Sequence, residues 1–162
     1  MKAISSSCPK RWISAGKVAT FVRSVVIDAP VETVFAFHER EDALARLSPS
    51  FPRVHVIRKT GGIEAGSRVD LRIGPFRWVA LHTRYEKDRL FIDDQIQGPF
   101  RRWIHRHEFE DLGGRTRLTD RVEYRLRGGA IVEAVFGWIV EVGLGRMFRA
   151  RHSATKEFCE GK

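Results

Sequence analysis

Cysteine is nearly absent. The 162 residues hold two, Cys8 and Cys159, and a lone distant pair in a chain of this length excludes a disulfide-stapled scaffold and points to reduced thiols in a cytoplasmic protein. No stretch approaches the roughly 20 apolar residues of a membrane span. The opening MKAISSSCPKRWISAGK has no continuous apolar core, so it does not resemble a secretory signal. It also lacks any acid, as transit peptides do, but reads as a flexible basic tail, residues 1–17, ahead of a single domain over 18–160. Lysine is scarce: 22 of the 29 basic residues are arginine. The net charge of +9 gathers into no single run, which argues against a specific nucleic-acid binder. Gly143-Leu144-Gly145 lacks a third glycine at Phe148, which excludes a dinucleotide fingerprint there.

What the chain does have is a hairpin, RWIHRHEFEDLGGRTRLTDRVEYRL, from Arg102 to Leu126. Trp103, His105, His107 and Phe109 alternate with Arg102, Arg106, Glu108 and Glu110, and Leu118, Asp120, Val122 and Tyr124 alternate with Arg115, Arg117, Arg121 and Arg125. One face is arginine-rich and solvated, and is expected to offer at most a weak contact to an anionic surface. The other is apolar yet carries two histidines and an aspartate. Taking 111–114 as the loop pairs Phe109 with Thr116, His107 with Leu118 and His105 with Asp120. Buried polar groups need partners, so a ligand-filled or wet cavity explains this face better than a solid core does.

Around the hairpin, Val18–Ile27 reads as a strand, stopped at Asp28-Ala29-Pro30. Pro30 suits a helix start, with Val31, Val34, Phe35 and His38 on one face, and a second short helix brings in Leu44 and Leu47 before Pro49 and Pro52 end it. Strands follow at 54–59, 67–73, 76–85 and 90–97. In the third of these, Trp78, Ala80, His82 and Arg84 share a face; in the fourth, Phe91, Asp93 and Gln95 do. Past Gly128-Gly129 the period changes to 3.6, giving a terminal helix of roughly 25 residues. With Phe136 as reference, Val132, Ile139, Val140, Gly143, Met147, Ala154 and Phe158 form the inward stripe, joined by Arg151 alone among charges, while His152 falls on the outer side. Gly137, Gly143 and Gly145 predict a bend or a close backbone approach in its middle. The order β-α-α-β6-α, with no βαβ alternation, is an α+β layout: a seven-stranded antiparallel sheet wrapped around a long C-terminal helix, with an internal cavity.

These features resemble the START-like (SRPBCC) superfamily of helix-grip proteins, and most closely its cyclase/dehydrase-like bacterial branch. The resemblance is carried by Ala29-Pro30, Val34-Phe35, His38, Arg46-Leu47-Ser48-Pro49, Arg77-Trp78, His82, Phe91, Asp93, Gly98-Pro99-Phe100, the hairpin residues above, and Phe148, Arg151 and His152. Some relatives resemble the front part of a longer protein with an epimerase-like domain. The resemblance implies a pocket for a hydrophobic ligand and leaves ligand and reaction open.

The expected ligand walls are Trp78, Phe91, Trp103, Phe109, Val122, Tyr124, Phe136, Ile139, Val140, Gly143 and Met147. Polar groups toward the ligand would be His82, Asp93, Gln95, His105, His107, Asp120 and Arg151. The leading expectation is binding or carriage of a small apolar or amphipathic molecule by a monomer or homodimer. The alternative is a cyclase or isomerase with His105 as general acid/base oriented by Asp120, although no Ser or Cys nucleophile shares their face. A metal reading, His105-x-His107 with His82, lacks a further ligand in the sequence pattern, so no metal and no cofactor are expected.

Overall fold

β-branched residues alternating with arginines, and glycines at the reversals, produce a continuous meander. The computed structural model describes residues 18–48 and 53–161. The expected tail and the stops at Pro49 and Pro52 lie outside the described residues. The elements are β1 (Ala19–Ile27), α1 (Val31–Glu39), α2 (Ala43–Leu47), β2 (Val54–Thr60), β3 (Arg68–Ile73), β4 (Phe76–Glu86), β5 (Leu90–Gln97), β6 (Arg102–Asp111), β7 (Thr116–Arg125) and α3 (Gly129–Cys159). The seven strands form one antiparallel sheet in the order β1-β7-β6-β5-β4-β3-β2. The helix-grip architecture expected from the sequence is the one observed, with α3 held against the sheet.

The β6–β7 register differs from expectation by two residues. Phe109 faces Leu118, His107 faces Asp120, and His105 faces Val122. The reason is the turn. Gly113 and Gly114 both take positive φ, 75° and 85°, and the Leu112 amide donates to the Arg115 carbonyl, the tight two-residue reversal that glycine at both central positions favours. A shift of two preserves the faces, so the inward set is unchanged. On the outer face Arg102 pairs with Glu123 at 3.4 Å, Arg121 approaches Glu108 at 3.9 Å, and Arg117 pairs with Glu110. The few acids there are spent on cross-strand arginines.

Strand β4 departs from expectation at its far end. A register shift against β5 between His82 and Arg84 turns Arg84 outward and brings Tyr85 in, edge-on to Phe35 at 5.6 Å. The Tyr85 hydroxyl donates to Glu39 Oε1 at 2.7 Å, and this bond pushes its pKa up to about 12.

The inward residues sort into two apolar clusters. Ile27, Val34, Phe35, Phe91, Phe109 and Leu118 form one under α1; Trp103, Val122, Tyr124, Leu144 and Phe148 form the other under α3. Each fully buried side chain of this size contributes roughly 1.5–3 kcal/mol. The runs Trp103-His105-His107-Phe109 and Leu118-Asp120-Val122 cross from one cluster to the other, so their polar members fall between the two.

Helix α3 spans 31 residues, and its buried stripe is not the one expected. Leu144, Phe148, His152 and Thr155 are buried, whereas Phe136 is 50% exposed and Ile139 48%. The wheel was weighted by the apolar first half of the helix. The residues that touch the sheet come from the second half, where Phe148 stacks on Phe21 at 5.5 Å and rotates His152 inward one turn later. Nor do the three helix glycines mark a close approach: a Cβ added at Gly137, Gly143 or Gly145 meets nothing within 4 Å.

Candidate functional site

Alternation along β3 to β6 places Leu71, Trp78, Ala80, His82, Phe91, Asp93, Trp103, His105 and His107 on a concave surface. The α2 residues Leu44 and Leu47 face it from one side, and Val140, Leu144, Met147 and Arg151 of α3 from another. Together they line a cavity of about 410 Å³, within the range of small-molecule sites. Arg40 and Lys59, both exposed, and Gly143 belong to its rim. Its walls are apolar over most of their extent, and the polar groups gather at one end.

That end is organised by Asp120. His105 Nε2 donates to its Oδ1 at 2.7 Å, His152 Nε2 to its Oδ2 at 2.6 Å, and His107 Nδ1 stands 2.9 Å from Oδ1. Burial opposes ionisation of Asp120, but the field of His107 and the donors from His105, His107 and His152 hold its carboxyl well below the usual range. Asp93 is likewise held below its ordinary range, burial being outweighed by His105 and His107. For His105, burial works against the imidazolium. The bond to Asp120 and the nearby carboxylate of Asp93 prevail and push its pKa up to about 9, so in the metal-free protein the ring carries its proton at neutral pH.

Two further histidines behave oppositely. His38, whose Nδ1 donates to the Val34 carbonyl at 2.8 Å, is driven down to about 4 by burial and then by His107. Burial also lowers His82, against the pull of Asp93, and its Nδ1 has no hydrogen-bond partner. Arg151 lines the cavity with its guanidinium over the Phe148 ring at 5.6 Å and its Nε buried without a hydrogen bond. Burial lowers its pKa, with Asp120 and Asp93 opposing; an arginine nonetheless stays charged.

The structure therefore brings Trp78, His82, Phe91, Asp93, Trp103, His105, His107, Val140, Gly143, Met147 and Arg151 to one cavity. Others expected there lie elsewhere. Phe109, Val122 and Tyr124 pack into the two apolar clusters and are not among the residues lining the cavity. Asp120 sits behind the histidines it holds. Gln95 turns to the Gly98-Pro99-Phe100 corner, its Nε2 donating to the Phe100 carbonyl at 3.0 Å. Phe136 and Ile139 are on the solvent side. Sequence reasoning missed His152 as a site residue and His38, Leu71, Ala80 and Leu144 as lining; the period-two pattern through Val69, Leu71 and Ile73 of β3 was the available signal for Leu71.

Residues 27–150 match the model of the family described as polyketide cyclase / dehydrase and lipid transport. The chain belongs to that family. An aromatase/cyclase from Streptomyces sp. R1128 superposes with a TM-score of 0.67 at 16% identity, covering 89% of this chain and 94% of its own. Norcoclaurine synthase from Thalictrum flavum in complex with dopamine and hydroxybenzaldehyde gives 0.67 at 15% identity, covering 100% and 98%. A nucleoside-diphosphate sugar epimerase from Corynebacterium glutamicum gives 0.66 at 27% identity, covering 85% of this chain but 28% of the epimerase chain, as expected for a relative in which this fold is one part of a longer protein. A search of curated proteins finds no match. No described helix is long and apolar enough to cross a membrane.

Proposed function

We propose that this family member binds a small amphipathic molecule in the cavity between sheet and α3, its apolar body against Leu71, Trp78, Phe91 and Met147 and its anionic or polar end at Arg151. One observation carries this reading. Arg151 is a charged group at the wall of an apolar cavity whose Nε is buried without a bond, and an arginine in that position supplies paired donors to a carboxylate or phosphate. The family description, which includes both cyclases and lipid transport, and the two aromatic compounds in the norcoclaurine synthase complex support a ligand of this class. Native mass spectrometry of the purified protein should detect a retained small molecule, and a fluorescent fatty acid should bind more tightly than its alcohol analogue. Equal affinity for the two, or no binding of either, overturns the assignment.

A second reading has a specific observation in its favour. His105 faces the cavity, is fixed by Asp120, and holds its proton at neutral pH, which suits a general acid that protonates a ligand carbonyl during cyclisation. Turnover of a polyketide-like aromatic precursor that survives His105→Gln would exclude it.

A further inference from the structure

Asp120 does more than hold two rings in place. With His105 Nε2 and His107 Nδ1 set against Asp120 Oδ1 at 2.7 and 2.9 Å, the opposite nitrogens face the same atom on another strand. His105 Nδ1 and His107 Nε2 each lie 3.4 Å from Asp93 Oδ2. His105 holds protons on both nitrogens in the metal-free protein, and ligation releases the one on Nδ1; an imidazole that gives its remaining proton to one side presents a lone pair on the other. Three electron-rich atoms therefore converge from β5 and β6, all within 4.8 Å of one another.

The spacing discriminates between the cations that could sit there. A good N–H···O bond spans about 2.7–3.2 Å, and the two contacts to Asp93 exceed it. Donors around a tetrahedral metal with bonds of about 2.0–2.2 Å are separated by roughly 3.3–3.6 Å, and 3.4 Å falls inside that range. The charge fits too. Buried Asp120 and half-buried Asp93 bring two negative charges against Arg151, half-buried with its Nε enclosed, which leaves a single negative charge when the rings are neutral.

We propose that Asp93, His105 and His107 form a three-ligand site for a divalent transition metal. Its remaining positions face the cavity, and Asp120 orients both imidazoles from behind. Two imidazoles and a carboxylate with open positions are a donor set suited to zinc or ferrous iron, and a carboxylate behind ligating histidines is the usual support of such sites. The site deepens the pocket reading, and rests on it, only in what fills the open positions: an oxygen of the bound ligand. Metal uptake itself does not depend on that ligand.

The test is titration of the chelator-treated full-length protein with Co2+ and Zn2+, followed by calorimetry and visible absorption. One equivalent of Co2+ should bind, give ligand-field bands, and be displaced by Zn2+. Asp93→Asn and His107→Asn should each weaken binding at least 100-fold and Asp120→Asn about 10- to 100-fold, whereas His55→Asn, on the exposed face of β2, should change nothing. Binding that is indifferent to Asp93→Asn, or absent at millimolar metal, overturns the site. Should the variants fail to fold by urea titration, paramagnetic broadening in the wild type decides: His105 and His107 ring signals lost with His55 intact supports the site, and the reverse pattern overturns it. Binding of the fluorescent fatty acid is scored separately on metal-free protein. Probe binding without metal uptake overturns only the metal site, and metal uptake without probe binding overturns only the pocket ligand.

Discussion

The two halves of α3 invert the usual relation between hydrophobicity and burial. Residues 129–143 carry Ile131, Val135, Phe136, Trp138, Ile139 and Val142, all about half exposed or more, with Ile131 at 81%. Residues 144–159 contain Arg146, Arg149, Arg151, His152, Thr155 and Lys156, yet this is the half that buries Leu144, Phe148, His152 and Thr155. A polar side chain is inside because a partner meets it there. His152 reaches Asp120 of β7 at 2.6 Å, while the Thr155 hydroxyl is satisfied within its own helix by the Arg151 carbonyl at 3.0 Å. Contact with the sheet decides burial here, and composition does not.

The largest effect should come from removing the partner that draws His152 inward. Asp120→Ala leaves His105 and His152 without their acceptor and takes away a carboxylate ringed by three histidines. Breaking such a buried set costs about 3–5 kcal/mol. Phe148→Ala, by emptying a fully buried ring position on the same half-helix, should cost a similar 3–5 kcal/mol. Urea unfolding followed by tryptophan fluorescence measures both; a loss under 1 kcal/mol for Asp120→Ala would show the network to be peripheral to stability.

How far this half of α3 was legible in the sequence follows from the same contrast. The strands, the two short helices, the meander order and the inward face of the hairpin all follow from period-two and period-3.6 patterns, since one face of each element must meet the core. The hairpin register did not, because two plausible glycine turns differ by two residues and keep the same faces. Arg151 could be placed on the inward stripe as its sole charge. His152 could not, because a wheel scores hydrophobicity and has no term for an aspartate waiting on β7. Asp93 illustrates the same limit: its face on β5 was clear, but its approach to both His105 and His107 depends on the β5–β6 pairing of Asp93 with His105 and Phe91 with His107, which no spacing within one strand encodes.

Acid titration offers a smaller effect that touches the same buried region from α1. His38 has its pKa at about 4 in the fold, with His107 of β6, Asp120 of β7 and Arg151 of α3 acting on it and the Val34 carbonyl bonded to its ring. Unfolded, the ring titrates near 6.5. The unfolded chain thus binds the extra proton first, and stability should fall as pH drops from about 6.5 to 4 and then stop falling on this account, by roughly 3 kcal/mol in total. The upper part of that window, above about pH 5.5, lies clear of the range in which ordinary carboxylates titrate. A His38→Phe variant should flatten it; an unchanged slope between pH 6.5 and 4 would assign the loss to other groups.

The helix glycines sharpen the comparison at about 1 kcal/mol. Gly137 and Gly145 sit inside α3 with open space where a Cβ would go, so Gly137→Ala and Gly145→Ala should each stabilise the protein by about 0.5–1 kcal/mol through helix propensity alone. If a neighbour did approach either glycine, the sign would reverse, and thermal melting distinguishes the two outcomes.

The smallest effect should fall on the most hydrophobic residues of the helix. Trp138 is 64% exposed, so replacing it with serine, or Ile131 with serine, removes little contact in the monomer. The unfolding free energy of Trp138→Ser and Ile131→Ser should remain within about 0.5 kcal/mol of the parent, well below the loss at Asp120, the β7 residue that meets the other half of the helix. The measurement is urea unfolding at two protein concentrations tenfold apart. A loss of 2 kcal/mol or more that grows with concentration would mean that the first half of α3 is covered by a second copy of the chain, and the inversion between the halves would then belong to the isolated subunit alone.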